Sequence, residues 1–165
     1  MRVLDGKFQE NKLKFIFQAI MAGLAVALAI DLFDVVRNPV IIASFGASGF
    51  VAFTVPHMKI SSPRYLIGGY IIGVLVGCLM HYLTVLPIDH YLIQKILHVA
   101  AAGLAVSLAM LLMTITDTEH APAAGIAVGL VINDWTITTI ILVLVGISII
   151  SLMQRLLRRW MINLL

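Results

Sequence analysis

Four long apolar stretches dominate the sequence, and each is close to the ~20 residues that cross the hydrocarbon core of a bilayer as a helix. They lie at residues 15–33, 65–86, 96–115 and 136–153. Hydrophobic residues make up 61% of the 165-residue chain, whereas they make up about 45–50% of a water-soluble domain. A soluble domain of this size has too little interior to bury so many apolar side chains. The sequence therefore predicts an all-α integral membrane protein with a single membrane domain over residues 1–165.

Two further apolar segments, at residues 39–55 and 121–132, are shorter. As a helix, the second would measure about 18 Å at ~1.5 Å per residue, well short of the ~30 Å of hydrocarbon. Such a segment either dips into the membrane and returns or forms part of a broken spanning helix. The prediction is therefore four long transmembrane helices plus two short or broken membrane helices.

The two halves of the chain contain similar stretches in the same order, which favours an internal duplication. The matching stretches are 22–29 with 102–109, identical at seven of eight positions, and 71–80 with 140–149, identical at six of ten. Residues 15–86 and 96–153 would then form two repeats, each with a long, a short and a long helix. Three crossings per half would invert the second repeat relative to the first, as in many transporters.

Basic residues gather at both ends of the chain, outside the outermost apolar stretches. They are Arg2, Lys7, Lys12 and Lys14 before the first stretch and Arg155, Arg158 and Arg159 after the last. Positive charge in such positions marks the cytoplasmic side of membrane proteins and contacts anionic lipid headgroups. We therefore expect a multi-pass protein of a bacterial-type inner (cell) membrane, with both termini in the cytoplasm and no nucleic-acid partner.

Prolines open both short segments and suggest an anion site. Asn38 and Pro39 begin the first segment, and Pro122 lies in the first turn of the second. A helix that starts inside the membrane leaves its first N–H groups without partners, and its dipole adds partial positive charge. If the halves are inverted, the two N-termini would meet and hold a small anion. The alternative is that both prolines mark ordinary boundaries at the membrane surface.

Hydroxyl-bearing and small residues accompany these helix starts. Ser44 and Ser48 lie four residues apart, on one helix face that could line a pore, and Gly46 lies between them. Alternatively, each hydroxyl bonds to the backbone carbonyl four residues earlier. The candidate substrate-binding residues are Pro39, Ser44, Gly46, Ser48, His120, Pro122 and Gly125.

Ionisable residues near membrane depth suggest a gate or a mouth, and the candidates are Arg64, Asp117 and Glu119. His120 beside Glu119 could relay protons or sense pH, or the two could form a satisfied interfacial pair. Glu119 could also pair with Arg64 or Arg37. The histidines lack metal-ligand spacing, and nothing resembles a nucleophile or cofactor motif. We therefore expect no metal, no cofactor and no enzyme activity.

Several of these residues together resemble the HPP family of small integral membrane proteins. The resemblance rests on residues 39–48, with Ser-Phe-Gly-Ala-Ser, on residues 62–69, with Ser-Pro-Arg and Gly-Gly, and on residues 120–125. The family is named for a His-Pro-Pro motif, in which Ala121 here takes the place of the first proline. The similarity covers residues 15–155. It implies four transmembrane spans and transport of nitrite, which family members in photosynthetic cells are implicated in carrying across the chloroplast envelope or inner membrane.

The sequence thus predicts a membrane transporter or channel-like carrier for a small monovalent anion, nitrite first, held at the N-termini of the short helices. The alternative is a non-transporting membrane scaffold or sensor subunit. Stripes of small residues, such as Gly69, Gly73 and Gly77, let helices pack closely within one chain or between chains. We therefore also expect a homo-oligomer in the lipid bilayer.

Overall fold

The computed structural model describes residues 6–31, 38–85 and 90–165, and all regular structure in these ranges is helical. The helices are α1 (Gly6–Glu10), α2 (Lys12–Asp31), α3 (Pro39–Thr54), α4 (Pro63–His81), α5 (Tyr91–Thr116), α6 (Ala121–Ile132) and α7 (Ile137–Leu157). Single 3₁₀ turns lie at Lys59–Ser61 and Arg158–Trp160. The all-α prediction is confirmed.

Four of these helices are long and apolar enough to cross a membrane: α2, α4, α5 and α7, the last extended to Trp160. The helices α3 and α6 are apolar but only 16 and 12 residues long. The predicted set of four long and two short membrane helices is therefore confirmed, although α4 ends at His81 and α5 already begins at Tyr91. Residue 86, the predicted end of the first repeat, and Arg37 lie outside the described residues.

Local sequence explains where several helices begin and end. The side-chain oxygen of Asn38 accepts a hydrogen bond from the Ile41 N–H at 3.3 Å, and Pro39 occupies the first position of α3. Thr136 starts α7 with a reciprocal capping box. At the end of α5, Asp117 adopts a left-handed backbone with φ of 53°, which aspartate tolerates better than most residues.

The two short helices, α3 and α6, lie side by side in the centre and run in opposite directions. Val40 of α3 faces Gly129 of α6, and Ser44 faces Gly125, so residue numbers rise along one helix as they fall along the other. Half of each short helix is buried, 8 of 16 residues in α3 and 6 of 12 in α6, against 3 of 20 in α2. The short helices therefore form much of the core together with α4, in which 8 of 19 residues are buried, and the other long helices surround them.

The long helices present apolar side chains outward. α2 and α7 pack on α3, whereas α4 and α5 pack on α6. The outer faces expose large side chains such as Leu24, Leu75, Leu104 and Leu152. A continuous apolar surface of this kind is unfavourable in water and is solvated by lipid tails in a membrane.

The first half of α2 and the residues after α7 lie at the same end of the bundle. The side-chain amide of Gln18, in α2, donates to the carbonyl of Phe53, at the end of α3, at 2.6 Å and to that of Ile162 at 2.9 Å. The N–H of Ile162 donates back to the side-chain oxygen of Gln18 at 2.9 Å. We call this the terminal end; the opposite one, where His81 and Trp135 meet, is the far end. Successive helices from α2 to α7 alternate in direction between the two.

The neighbours of each helix have the symmetry that a duplication would produce. In a duplication, α2, α3 and α4 would correspond to α5, α6 and α7. When each helix is replaced by its counterpart, the principal pairs of helices in contact stay the same. Each helix also runs in the direction opposite to that of its counterpart. Ala25 and Ala29 are fully buried in α2, as Ala105 and Ala109 are in α5. The inverted repeat over residues 15–86 and 96–153 nevertheless stays a prediction, because shared neighbours do not establish a shared fold.

Candidate functional site

A hydrogen-bonded chain of three polar side chains lies where α3, α4 and α6 meet. The Ser48 hydroxyl oxygen is 2.8 Å from the Tyr70 hydroxyl and 2.8 Å from His120 Nε2. Ser48 and Tyr70 are fully buried, and His120 is 3% exposed. A polar group in an apolar bundle is costly without a partner, so each member of this polar triad stabilises the burial of the others.

The glycines of α4 bring the triad together. A Cβ atom added at Gly69 would overlap His120, one at Gly73 would overlap the backbone of Ala123, and one at Gly77 would crowd α6 further along. Their absence lets the backbones of α4 and α6 approach closely, the packing role predicted for this stripe. The start of α6 lies beside Gly69, six residues after the start of α4 at Pro63. At ~1.5 Å per residue, α6 therefore begins about 9 Å further from the terminal end than α4 does.

Aromatic rings hold the triad in orientation. Phe45 stacks on Tyr70 with 5.8 Å between ring centroids and 20° between planes. The Tyr70 ring also contacts the His120 ring, at 5.8 Å and 38°. Tyr70 was not among the predicted site residues, and its burial follows from the packing of α4 against α3 and α6.

The imidazole of His120 is neutral near pH 7. The residue lies in the link 117–120, outside the helices, and burial lowers its pKa to about 4 because the charged form is poorly solvated there. A neutral imidazole has one N–H donor and one acceptor. When Nε2 accepts from Ser48, Nδ1 carries the proton, and Nδ1 makes no hydrogen bond to the described residues. The site can therefore present an N–H donor to a ligand without a full positive charge.

The expectation that the N-termini of the short helices meet is wrong. Because α3 and α6 are antiparallel, Pro39 lies towards the last turn of α6, whereas His120 lies beside Ser48. Nine residues separate Pro39 from Ser48, which is about 14 Å along a helix. In addition, the Asn38 side chain already accepts a hydrogen bond from the Ile41 N–H at the start of α3, so this N–H is not free to bind an anion. The two helix starts are thus separate places, and the polar triad lies at only one of them.

Of the predicted substrate-binding residues, Ser48 and His120 are brought into direct contact. Ser44 and Gly125 face each other across the α3–α6 interface. The Ser44 hydroxyl donates to the Val40 carbonyl at 2.9 Å, the alternative considered for both serines. The Ser48 hydroxyl instead forms hydrogen bonds to side chains outside its own helix, those of Tyr70 and His120.

The remaining predicted residues lie apart from one another. Pro122 is in the first turn of α6, close to the triad in sequence. Gly46 lines a 610 Å³ apolar cavity between α2 and α3, and a Cβ atom there would meet open space. Pro39 is exposed.

Charged residues form a cluster at the terminal end, next to the link that carries His120. Lys59 donates to Asp117 at 2.6 Å, Tyr65 also donates to it, and Arg64 lies 3.7 Å away. The hydrogen bond from Lys59 lowers the pKa of Asp117, with further help from Tyr65 and the charge of Arg64. Arg64 therefore pairs with Asp117 and not with Glu119, which is exposed.

Within the described ranges, no group of three histidine, cysteine or acidic side chains is placed to hold a metal ion. Lys59 and Tyr65, which complete the cluster around Asp117, were not among the predicted site residues. Neither stands out in sequence, because the contacts join the link before α4 and the first turn of α4 to the end of α5.

Fold and site together define a multi-pass helical membrane protein with a buried polar triad at its two short central helices. The profile of the HPP transmembrane region matches residues 8–163, and the chain belongs to the HPP family. It is also similar to a transmembrane protein of Dictyostelium discoideum, with 33% identity over 88 residues. That match spans 53% of this chain and 28% of the relative's length. No solved structure matches.

Proposed function

We propose that this protein transports a small monovalent anion, with nitrite as the leading candidate, across a bacterial-type inner membrane. Both termini would lie in the cytoplasm. The observation that carries the proposal is the buried hydrogen bond between Ser48 and His120 at the start of α6. With Ser48 donating to Nε2, the Nδ1–H of His120 is left as a hydrogen-bond donor for an ion that has left water. The membership of the HPP family adds support.

The charge at this site suits an anion that must be released again. The dipole of α6 contributes partial positive charge at its N-terminus, and His120 is neutral near pH 7. No acidic side chain in the described ranges bonds to the triad. Neutral donors bind an anion moderately, and moderate binding lets it leave, as conduction requires.

The packing around the triad favours a carrier that changes shape over an open channel. The backbones of α4 and α6 are in close contact along Gly69, Gly73 and Gly77. An ion can pass His120 only when this interface parts. The cluster of Lys59 and Asp117 lies next to the link before α6, where it would form the mouth of the path.

A second candidate function, a non-transporting scaffold or sensor subunit, draws support from the same packing. A filled α4–α6 interface and a triad whose members bond to each other are also what a static membrane subunit would have. In either case we propose a homo-oligomer, since Gly23 of α2 faces open space that lets a second chain approach closely.

Uptake into proteoliposomes separates the two functions. Purified protein is reconstituted, and uptake of nitrite, nitrate, formate and chloride is measured against protein-free vesicles. The proposal predicts uptake of nitrite and weaker uptake of at least one other monovalent anion. Vesicles that contain folded protein and take up none of the four would contradict transport and favour the scaffold.

A further inference from the structure

A basic cavity of 340 Å³ lies at the terminal end, separate from the polar triad. One wall is the link between α3 and α4, with His57, Lys59 and Ser62. The other wall is the end of α7, with Arg155 and Arg158. No acidic side chain lines the cavity.

The two arginines are the cations available to a ligand. Neither Arg155 nor Arg158 has a carboxylate partner among the residues that the structure describes. The charge of Lys59 is already shared with Asp117. The ring of His57 donates from Nε2 to the Met161 carbonyl at 2.9 Å, which holds this side chain in the cavity wall. Two uncompensated guanidinium groups therefore border one partly open cavity.

The backbone adds to the positive potential of the cavity. Ser62 and Pro63, at the start of α4, belong to its lining, and the Ser62 hydroxyl makes no capping hydrogen bond to the helix. The helix dipole thus points its positive end at the cavity. The buried side chain of Gln154 donates to the Pro56 carbonyl at 2.9 Å, which fixes the two walls relative to each other.

We propose that this cavity binds a phosphate group, carried either by an anionic lipid headgroup or by a small soluble phosphate ester. Guanidinium groups form paired, charge-assisted hydrogen bonds to phosphate oxygens. The cavity volume of 340 Å³ lies at the lower end of the ~300–1,000 Å³ of small-molecule sites, and it is far larger than a three-atom anion needs. The cavity adjoins the proposed mouth of the nitrite path through Lys59, but Arg155 and Arg158 belong neither to that mouth nor to the polar triad.

The test uses the full-length protein in nanodiscs. Binding of phosphatidylglycerol is measured by native mass spectrometry after exchange from phosphatidylcholine. Binding of inorganic phosphate and glycerol phosphate is measured by calorimetry in phosphatidylcholine nanodiscs. The variants are Arg155→Gln and Arg158→Gln. The matched control is Arg159→Gln, which removes the same charge from the adjacent arginine, stacked on Trp160 at 4.0 Å and outside the cavity lining.

The proposal predicts that Arg158→Gln and Arg155→Gln each weaken binding about tenfold, the usual scale for a lost charge-assisted hydrogen bond, while Arg159→Gln changes it less than twofold. Binding of phosphatidylglycerol alone identifies a lipid headgroup, and binding of either soluble probe identifies a free phosphate. The proposal is overturned if no probe shows binding that depends on these arginines. It is also overturned if Arg159→Gln weakens binding as much as the other two variants do. If a glutamine variant does not purify as folded protein, Arg158→Lys, which keeps the charge but loses the paired donors, takes its place and is expected to weaken binding too.

Discussion

His120 Nε2 lies 2.8 Å from the Ser48 hydroxyl oxygen, although 72 positions separate the two residues in sequence. The contact joins the start of one central short helix to the middle of the other. It sets the register of the antiparallel pair, and it places a neutral hydrogen-bonding group in the apolar core. Both the stability of the bundle and the proposed path of the anion depend on this pair.

Ser48→Ala should destabilise the protein more than Ser44→Ala, although both remove one hydroxyl from α3. The first change leaves the Tyr70 hydroxyl and His120 Nε2 buried without their shared partner, at a cost of about 1–3 kcal/mol. The second removes only a bond to the helix's own Val40 carbonyl and should cost less than about 1 kcal/mol. Reversible unfolding in mixed micelles measures both. Equal losses would show that the triad does not stabilise the fold.

Gly73→Ala and Gly103→Ala make the same chemical change in two surroundings. At Gly73 the new methyl group would overlap the backbone of Ala123, whereas at Gly103 it would meet open space. The first should destabilise the protein by about 1–3 kcal/mol. The second should be neutral or slightly stabilising, because alanine is favoured over glycine in a helix by up to about 1 kcal/mol. The same unfolding assay measures the pair, and a harmless Gly73→Ala would contradict the close α4–α6 contact.

Acidification should destabilise the protein through His120. Its pKa is about 4 when folded, against 6.5 for the free group. The unfolded chain therefore binds more protons between these values, and stability is lost as the pH falls from about 6.5 to 4. The loss should reach about 3 kcal/mol at pH 4, at ~1.4 kcal/mol per pKa unit.

The variant His120→Gln should lose this dependence, while His98→Gln, a change at a half-buried position of α5 outside the polar triad, should keep it. Unfolding midpoints measured from pH 7 to 4 make the comparison. With a pKa of about 4, a pH-sensing role of His120 would operate below physiological pH. A midpoint that is flat in the parent protein would show that His120 is not buried as a neutral group.

Both ends of the chain should react from the same side of the membrane, because Gln18 bonds directly to Ile162. In a Cys78→Ala background, Lys7→Cys and Arg158→Cys should resist an impermeant maleimide added to intact cells and react after lysis. The clusters of basic residues at both ends give the cytoplasmic side. Reaction at either position in intact cells would contradict the proposed orientation, and different results at the two positions would also contradict the fold.

The architecture was predictable because it depends on local patterns. Helix number and type follow from apolar length, and the start of α3 follows from Asn38 and Pro39. The role of the glycine stripe in α4 was also predictable, since close packing is the main use of such stripes in membrane helices. Boundaries were less accurate, and α5 extends five residues further towards its N-terminus than predicted, because Gln94 and Lys95 interrupt the apolar pattern near its start.

The site was only partly predictable because it depends on pairing across the chain. Ser48 and His120 were named separately, and their contact follows from the antiparallel arrangement of α3 and α6, which no local pattern contains. The same arrangement explains why the two helix starts do not meet. Tyr70 was missed since a tyrosine in a membrane helix is usual at the bilayer interface, and only tertiary packing places this one in the core.

Nitrite uptake by proteoliposomes containing the parent protein or His120→Ala tests the central claim most directly. Rates are normalised to the amount of folded, reconstituted protein, and His98→Ala serves as the matched control. The account predicts uptake by the parent and the control at similar rates, and a reduction of about tenfold in His120→Ala, the scale of one lost hydrogen bond to a charged group. No uptake by the parent, or equal uptake by His120→Ala, would contradict the account.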